Sequence, residues 1–324
     1  MTAPKALSGP LPAVPLGRGD LRVTRLAYGC WRIAGAPDPA AVTPEKRRAG
    51  QAAVRAAYEA GITFFDLADI YCGGRAEEIF GETLRAVRGM RERVVIATKC
   101  GIRFKGDPAP DAPYRYDASA DHILRSCEAS LKRMRIETID LYLLHRPDYL
   151  GDPQEAARAF AELKQSGKVR AFGVSNFRPA QVTALQRACP MPLVVNQVEM
   201  HLLHLDSFHD GTLDQCLTEG ITPMAWSPLG GGRLVDVNPI DLHTPNHAHR
   251  IHVREVMDLI ARELDVTRTV VALAWLLKHP AGAIPVLGST QPKRIREALK
   301  ALQISLSREQ WYRLLEVSYG RRLP

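Results

Sequence analysis

The stretch TFFDLADIYCGG, residues 63–74, decides the fold of this chain. It begins as an apolar run that predicts a buried strand, and it then delivers Asp66, Asp69 and Tyr71 in quick succession. A loop that merely leaves a sheet needs none of these polar side chains. The question is therefore whether other strands end in the same way, because parallel strands bring their carboxyl ends to one face.

Short apolar segments alternate with helical patterns through most of the sequence. Strands are predicted at 63–67, 94–98, 141–144, 171–174, 193–197, 222–226 and 282–287, after an earlier strand that ends near Ala27. Helical periodicity covers 46–60, 75–88, 119–134, 153–166, 179–188, 212–219 and 267–279. Eight alternating units in 324 residues predict an α/β fold, a (β/α)8 TIM barrel, in preference to an open sheet.

The segments outside this alternation predict how the barrel is completed. Residues 14–29, VPLGRGDLRVTRLAYG, are typical of a β-hairpin with its turn at 17–20, which would close the bottom of the barrel. The stretches 101–118, 199–211 and 228–250 follow strands and predict long loops on the C-terminal face. We expect residues 1–18 to form a poorly ordered arm and residues 19–324 to form a single barrel domain.

Composition narrows the functional classes. The formal net charge is +8, but the basic residues are scattered, which favours a positively charged pocket for an anionic cofactor over nucleic-acid binding. No apolar run reaches the ~18 residues of a membrane span. The N-terminus lacks the apolar core of a secretory signal, so a cytoplasmic location is expected. The six cysteines show no CxxC spacing and are predicted to be free thiols.

Polar side chains follow five successive predicted strands at the point where each strand ends. They are Asp66 with Tyr71, then Lys99, then His145, then Ser175 with Asn176, and finally Asn196 with Gln197. Any one of them is consistent with an ordinary loop residue. In a closed parallel barrel, however, all of them converge on one mouth, so the series predicts a shared site.

The residue types in this series suit proton transfer to a carbonyl oxygen. A phenol is a poor acid or base at neutral pH, but a nearby ammonium stabilises the phenolate and lowers the phenol pKa, so Lys99 would assist Tyr71. Asp66 would hold Lys99 charged, and a neutral His145 could donate to the carbonyl oxygen. The hydride for such a reduction must come from a cofactor, because no side chain can supply it.

At this point the sequence resembles a known family. The motifs FDLADIY, TK, LLHRPD, GVSNF, NQVE, AWSPLGGG and GSTQPKRIREA, in this order, resemble the aldo-keto reductase superfamily from about residue 26 to residue 299. Within it, GCWRIAG, DLADIYCGG, GKVRAFGVSNF and MAWSPLGGGRL are similar to a bacterial subgroup, the YdhF-like oxidoreductases. The motifs are specific jointly, whereas SNF alone would not be.

The resemblance implies NADPH-dependent reduction of an aldehyde or ketone. Tyr71 would donate the proton, with Lys99 and Asp66 supporting it, and His145 would orient the substrate carbonyl. Residues that match the family's nicotinamide site are Ser175, Asn176, Gln197 and Trp226. Those that would surround the pyrophosphate are Ser227, Leu229, Gly230, Gly232 and Arg233.

The segment after the last predicted strand resembles the family's adenosine 2′-phosphate site. In the segment that Gly288 opens, Ser289, Thr290 and Arg294 match this site and Glu297 matches the family's adenine contact. An arginine there favours NADP over NAD. Two departures weaken this preference. Gly288 stands where many members have a phosphate-binding lysine, and Ala298 stands where many have an adenine-contacting asparagine.

Substrate contacts are predicted at Trp31, Arg32 and Tyr116. Loop 101–118 is long enough to act as a specificity wall. Its basic residues Arg103, Lys105 and Arg115 lie near its aromatic residues, and Arg32 follows the first strand. If this basic group faces the pocket, we expect a substrate with a carboxylate or another polar group. The alternative is that these charges only solvate an exposed loop.

Two other functions stay open at this stage. The first is a Schiff-base aldolase that uses Lys99, although Tyr71 would then have no role. The second is a nicotinamide-nucleotide-binding regulatory protein on a reductase scaffold, since a fold does not fix a function. The histidines at 201, 204 and 209 and from 243 to 252 lack zinc spacing, so no metal is expected. The expected binding partner is a small-molecule carbonyl substrate. The expected oligomeric state is a monomer or a weak oligomer.

Overall fold

The computed structural model describes residues 11–235 and 246–323. Within them lie twelve strands: β1 (Ala13–Pro15), β2 (Arg22–Thr24), β3 (Ala27–Gly29), β4 (Phe64–Asp66), β5 (Val95–Cys100), β6 (Ile102–Arg103), β7 (Arg115–Tyr116), β8 (Ile139–Leu144), β9 (Val169–Ser175), β10 (Leu193–Glu199), β11 (Thr222–Trp226) and β12 (Ile284–Leu287). The same residues form ten helices: α1 (Pro44–Glu59), α2 (Arg75–Ala86), α3 (Ala120–Met134), α4 (Pro153–Gln165), α5 (Pro179–Ala188), α6 (Thr212–Glu219), α7 (His247–Leu264), α8 (Arg268–Lys278), α9 (Pro292–Leu299) and α10 (Arg308–Tyr319).

Eight of the strands close into a parallel barrel. Their order is β3, β4, β5, β8, β9, β10, β11 and β12, and β12 pairs with β3 to complete the circle. Each of them is followed along the chain by at least one helix. The predicted (β/α)8 barrel is confirmed, and the carboxyl ends of its strands therefore share one face.

The β1–β2 hairpin closes the opposite, N-terminal end of the barrel, as predicted. Leu16 in its turn is fully buried and belongs to the core inside the barrel, together with Phe64 of β4. The Gly17 N–H donates to Thr222 Oγ1 at the start of β11 over 2.7 Å. Of the predicted arm, residues 1–10 lie outside the described residues, whereas Leu11 is buried and Ala13–Pro15 is β1.

Local signals in the sequence set several helix ends. Asp152 caps α4 by accepting from the Gln154 N–H, and Ser119 caps α3 by accepting from the His122 N–H. Gly61 and Gly167 follow α1 and α4 with φ of +94° and +72°, a region that favours glycine.

Three elements depart from the predicted pattern. The loop 101–118 contains the short hairpin β6–β7. Helix α7 begins inside the stretch 228–250, for which no helix is predicted, and residues 236–245 of that stretch lie outside the described residues. Helix α10 is also absent from the sequence prediction. It packs with α7 and α8 in a second core outside the barrel, through Leu314, Met257 and Trp275.

All six cysteines are free and buried, in agreement with their prediction as thiols. Along the described part of the chain, no helix has both the length and the apolar character that crossing a bilayer requires.

Candidate active site

The side chains of Asp66, Tyr71 and Lys99 meet at the carboxyl ends of β4 and β5. Lys99 Nζ lies 2.8 Å from Asp66 Oδ1 and 3.1 Å from Tyr71 Oη. It also donates to the Leu67 carbonyl over 2.6 Å. Lys99 is fully buried and Asp66 is 2% exposed, so these bonds form away from bulk water. Together with His145 we call these residues the tetrad.

The three bonds of Lys99 fix the direction of the Tyr71 proton. An ammonium has three N–H donors and no acceptor, and here the donors go to Asp66, Leu67 and Tyr71. Tyr71 Oη must therefore accept from Lys99. The phenol O–H consequently remains available to donate to another group.

The pKa of Tyr71 is raised above its ordinary value. Burial is the main cause, and the nearby Lys99 ammonium opposes it only in part. Lys99 itself keeps its charge: burial acts against the ammonium, but Asp66 and Tyr71 outweigh it, and the Lys99 pKa is raised. The sequence predicts the sign of the Lys99 effect on Tyr71 but not the net shift. The raised pKa keeps the phenol protonated at neutral pH, and the Lys99 ammonium, which lowers this pKa, is the neighbour that favours release of the proton.

His145 lies at the carboxyl end of β8 beside Tyr71. The two ring centroids are 5.9 Å apart and the rings are nearly perpendicular. Burial holds the pKa of His145 well below its ordinary range, with further contributions from Lys99 and Arg146. The imidazole is therefore neutral at pH 7. Its buried Nδ1 finds no partner among the described residues.

A chain of hydrogen bonds links the tetrad to Trp226. Gln197 Nε2 donates to Asp66 Oδ1 over 2.9 Å, and Ser175 Oγ donates to the Gln197 carbonyl over 2.8 Å. Asn176 Nδ2 donates to Ser175 Oγ, and Trp226 Nε1 donates to Asn176 Oδ1 over 2.9 Å. Since the indole N–H can only donate, it fixes the orientation of the Asn176 amide. The structure thus brings together the four residues predicted for the nicotinamide site.

The turn after β11 presents open backbone. Gly230 N–H donates to the Ser227 carbonyl, and Arg233 Nε donates to the Gly230 carbonyl over 2.7 Å. Gly231 and Gly232 have φ of +68° and +101°, and a Cβ added at either would meet nothing within 4 Å. Glycine is therefore required by the backbone here, and the open space lets a ligand approach the chain closely.

The segment from Gly288 to Arg294, which we call the α9 entry segment, is equally open. A Cβ at Gly288 would also meet nothing within 4 Å, and Thr290 and Arg294 are exposed. Ser289 Oγ accepts the Gln291 N–H over 3.2 Å. By contrast, Glu297 and Ala298 are engaged elsewhere: Glu297 pairs with Lys300 and Thr267, and Ala298 is buried in the core.

These features fit a nicotinamide nucleotide. Gln197 Oε1 makes no hydrogen bond within the described chain, and such an acceptor suits a carboxamide N–H. The open backbone of the glycine turn and the exposed Arg294 suit phosphate groups. At the nicotinamide end Ser175 and Gln197 are buried and Asn176 and Trp226 are half-buried, whereas Thr290 and Arg294 of the α9 entry segment are exposed.

The predicted substrate residues occupy the rim of the same face. Trp31 follows β3 and is 62% exposed, with the Arg32 guanidinium 5.5 Å from its ring centroid. Tyr116 belongs to a row of neighbouring rings that runs Phe104, Tyr114, Tyr116 and Tyr149, with centroids 5.9–6.3 Å apart. We call this row the aromatic row.

Arg103 and Arg115 of loop 101–118 are engaged within the loop and do not form the cationic wall that one interpretation of the sequence predicts. Arg103 pairs with Asp107 at 2.8 Å and with Asp117 at 3.1 Å. Arg115 donates to the Asp107 carbonyl over 2.6 Å. Both arginines therefore stabilise the loop itself, because their donors are committed to groups of the loop. These pairings cannot be predicted from the sequence, because they depend on how the loop folds.

Two polar residues near the tetrad carry no role in the sequence prediction. Burial and the neighbouring Glu77 raise the pKa of Asp69 to about 8, and its Oδ1 has no partner in the described chain. Arg146 directly follows His145, and its guanidinium lies 5.9 Å from the ring centroid of Trp226. The position of Arg146 directly after His145 in LLHRPD is the sequence feature that could have indicated a place in the site.

The histidines give no sign of a metal centre. Over residues 11–235 and 246–323, no group of three or more His, Cys, Asp or Glu side chains could hold a metal ion, and His243 lies outside those ranges. His201 instead supports the glycine turn. Its Nδ1 accepts the Leu203 N–H and its Nε2 contacts Glu199 at 3.1 Å, and a Cβ at Gly230 would lie 3.6 Å from its ring.

Comparison with known proteins gives a consistent result. The model of the aldo/keto reductase family matches residues 25–318. The 6-dehydroglucose reductase of Novosphingobium aromaticivorans is 41% identical over 97% of this chain and 99% of its own length. The oxidoreductase YdhF of Escherichia coli is 41% identical over 82% of this chain and 85% of its own.

A solved structure is similar over nearly the whole chain. An aldo/keto reductase from Klebsiella pneumoniae, in complex with NADP and acetate, superposes with a TM-score of 0.75 and 26% identity, covering 97% of both chains.

Proposed function

The chain belongs to the aldo/keto reductase family and is an oxidoreductase, and we propose that it reduces an aldehyde or ketone to an alcohol with NADPH. When bound, NADPH supplies the hydride, which no side chain can supply. The carbonyl carbon gains the hydride and the carbonyl oxygen gains a proton, and the product is an alcohol. The protein holds the carbonyl and provides that proton.

The observation that carries this proposal is the set of three hydrogen bonds of Lys99. Because Tyr71 Oη accepts from Lys99, its own proton is free to pass to the carbonyl oxygen. The Lys99 ammonium then stabilises the phenolate that remains. The neutral His145 can donate a hydrogen bond to the same oxygen as negative charge develops on it.

NADPH is favoured over NADH by Arg294 and by its surroundings. The guanidinium is exposed at the start of α9, where it could pair with a 2′-phosphate through charged hydrogen bonds. The Klebsiella neighbour with bound NADP supports the same choice of nucleotide. Ser175, Asn176, Gln197 and Trp226 would hold the nicotinamide, and the glycine turn with Ser227, Leu229 and Arg233 would hold the diphosphate.

A sugar-type aldehyde is the substrate class that the relatives favour. The Novosphingobium relative is named for 6-dehydroglucose, a sugar that carries an additional carbonyl. The exposed rings of Trp31 and of the aromatic row suit the C–H face of a sugar. The cytoplasmic location and the oligomeric state stay predictions.

The test is a substrate panel with the purified protein. We expect absorbance at the reduced-nicotinamide band to fall when NADPH and an aldehyde are both present, and to stay constant when either is absent. Tight NADPH binding without turnover of any aldehyde would favour the regulatory protein instead. Trapping of substrate on Lys99 by borohydride would favour the aldolase.

A further inference from the structure

Arg146 is a cation at the mouth of the barrel that the proposed chemistry does not use. It follows His145 after β8 and is half-buried. Its guanidinium lies 5.9 Å from the ring centroid of Trp226, within the range of a cation–π contact. Trp226 is in turn held by its bond to Asn176. The guanidinium therefore has a defined position on the tetrad side of the mouth.

The charge of Arg146 acts on one group of the tetrad and on one ring of the aromatic row. Its charge contributes to the lowered pKa of His145 after burial and Lys99. It also opposes, as the smallest contribution, the raised pKa of Tyr114 in the aromatic row. Arg146 is thus near both the group proposed to orient the carbonyl and the rings that border the loop. A substrate carbonyl held by His145 would lie beside the residue that directly follows it, Arg146.

The donors of Arg146 have no protein acceptor in the part of the chain that the structure describes. The carboxylate next in sequence, Asp148, is directed elsewhere: its two oxygens accept the N–H groups of Ala118 and Leu150. Arg103 on the neighbouring loop shows the contrasting case, because two carboxylates pair with it. No nitrogen of Arg146 is both buried and without a partner, so water reaches the guanidinium in the free protein. A ligand with two paired oxygen atoms can take the place of that water.

We propose that Arg146 is a specificity-determining residue that donates paired hydrogen bonds to two oxygen atoms of the substrate beyond its carbonyl. This inference rests on the proposed reductase function. A guanidinium has a planar fork of donors that matches two adjacent oxygens. Vicinal hydroxyls of a sugar-type aldehyde and a carboxylate both offer such a pair, and the experiment below separates them.

The experiment compares three aldehydes of similar size: glyceraldehyde with vicinal hydroxyls, succinic semialdehyde with a carboxylate, and butanal with neither. We expect Arg146→Ala to lower kcat/KM about 10–150-fold for an aldehyde that Arg146 recognises, mainly through KM, as one charged hydrogen-bonding group is lost. Butanal should change by less than about threefold. Added guanidinium ion should restore part of the loss.

The pattern of losses assigns the oxygen source. A loss confined to glyceraldehyde assigns vicinal hydroxyls, and a loss confined to succinic semialdehyde assigns a carboxylate. Equal losses for all three aldehydes overturn the proposal. A weaker NADPH affinity with an unchanged ranking of aldehydes also overturns it, because Arg146 would then belong to the cofactor site. A wild-type protein that reduces no aldehyde would instead refute the proposed function itself.

Arg308→Ala is the matched control. Arg308 also places a guanidinium over an aromatic ring, 5.1 Å from the centroid of Tyr312, but on α10. Its removal should leave the ranking of the three aldehydes unchanged. If circular dichroism shows that Arg146→Ala does not fold, Arg146→Gln keeps a polar side chain while it removes the charge and the paired donors, and the same ranking of aldehydes decides.

Discussion

The tetrad and the α9 entry segment are built in opposite ways. Lys99 is fully buried and Asp66 nearly so, and every donor of Lys99 already has a partner. In the α9 entry segment, Thr290 and Arg294 are exposed, and Gly288 leaves open space beside the backbone. In the tetrad the protein alone satisfies the Lys99 ammonium, whereas the α9 entry segment offers groups for a ligand to complete.

This difference indicates where a substitution should change stability and activity together and where it should change only the choice of nucleotide. A buried ion pair is expensive to break, because the remaining charge loses its partner in a dry environment. Exposed cations contribute little to folding, so they can change with little effect on stability. Changes at the tetrad should therefore affect folding and turnover together, unless they spare the ion pair, and changes at the α9 entry segment should affect nucleotide choice alone.

The largest effect is expected from Lys99→Met. It leaves the Asp66 carboxylate buried without its cation, which should cost about 3–5 kcal/mol of unfolding free energy and remove nearly all carbonyl reduction. Urea unfolding measures the first quantity and NADPH oxidation the second. The control is Lys168→Met, which breaks the exposed pair with Glu128 and should change the unfolding free energy far less. Equal losses of unfolding free energy in the two variants would contradict the expected difference between buried and exposed ion pairs.

Arg294→Ala tests the exposed region. The dissociation constant for NADPH should rise about 10–150-fold, as expected for a lost charged hydrogen bond of about 1.5–3 kcal/mol. The constant for NADH should barely change, since NADH has no 2′-phosphate. A fluorescence titration of each nucleotide measures both, and Arg296→Ala on the same helix is the control. Equal losses for the two nucleotides would reject the assignment.

His201 makes the stability of the protein depend on pH, because its imidazole is buried beside the open glycine turn. Burial lowers its pKa to about 4, whereas an unfolded histidine titrates near ~6.5. Between these pH values the His201 imidazole is protonated in the unfolded chain and neutral in the folded chain. The contribution of His201 to the free energy of unfolding is therefore lost as pH falls from about 6.5 to 4. His201→Gln should flatten this dependence in urea unfolding, and the exposed His252→Gln should not.

The smallest effect is expected at the rim. Replacing residues 104–114 with a short Gly/Ser linker should change the ranking of aldehydes by kcat/KM and leave the NADPH dissociation constant unchanged. The reason is that this segment carries Phe104 and Tyr114 of the aromatic row but none of the buried network. Loops on this face commonly act as specificity walls. An unchanged ranking would show that the loop does not select the substrate.

The sequence predicts the barrel well because its signals are local and repeated. The predicted strand at 222–226 matches β11, and predicted 193–197 falls within β10. The helices α7 and α10 are missed because they lie outside the strand–helix repeat. For α10, the capping pair of Ser307 and Gln310 was readable. Strand-end chemistry also predicts that Asp66 and Lys99 converge.

Other features of the site depend on folded geometry that no pattern encodes. The bond between Gln197 and Asp66 joins residues 131 positions apart. The net shift of the Tyr71 pKa depends on how deeply the phenol is buried, and burial outweighs the Lys99 effect. The unpaired donors of Arg146 also depend on the fold, because the nearby Asp148 carboxylate accepts the N–H groups of Ala118 and Leu150 instead.

The most direct test of the central claim measures Tyr71→Phe in two assays. The claim is that Tyr71 gives the proton while Lys99 and Asp66 remain an intact pair. Turnover of an aldehyde with NADPH should fall about 10²–10⁴-fold, the usual contribution of a general acid. The NADPH dissociation constant should stay within about twofold of wild type, because no cofactor group is removed. A Phe variant with wild-type turnover would contradict the account and place the proton donor elsewhere.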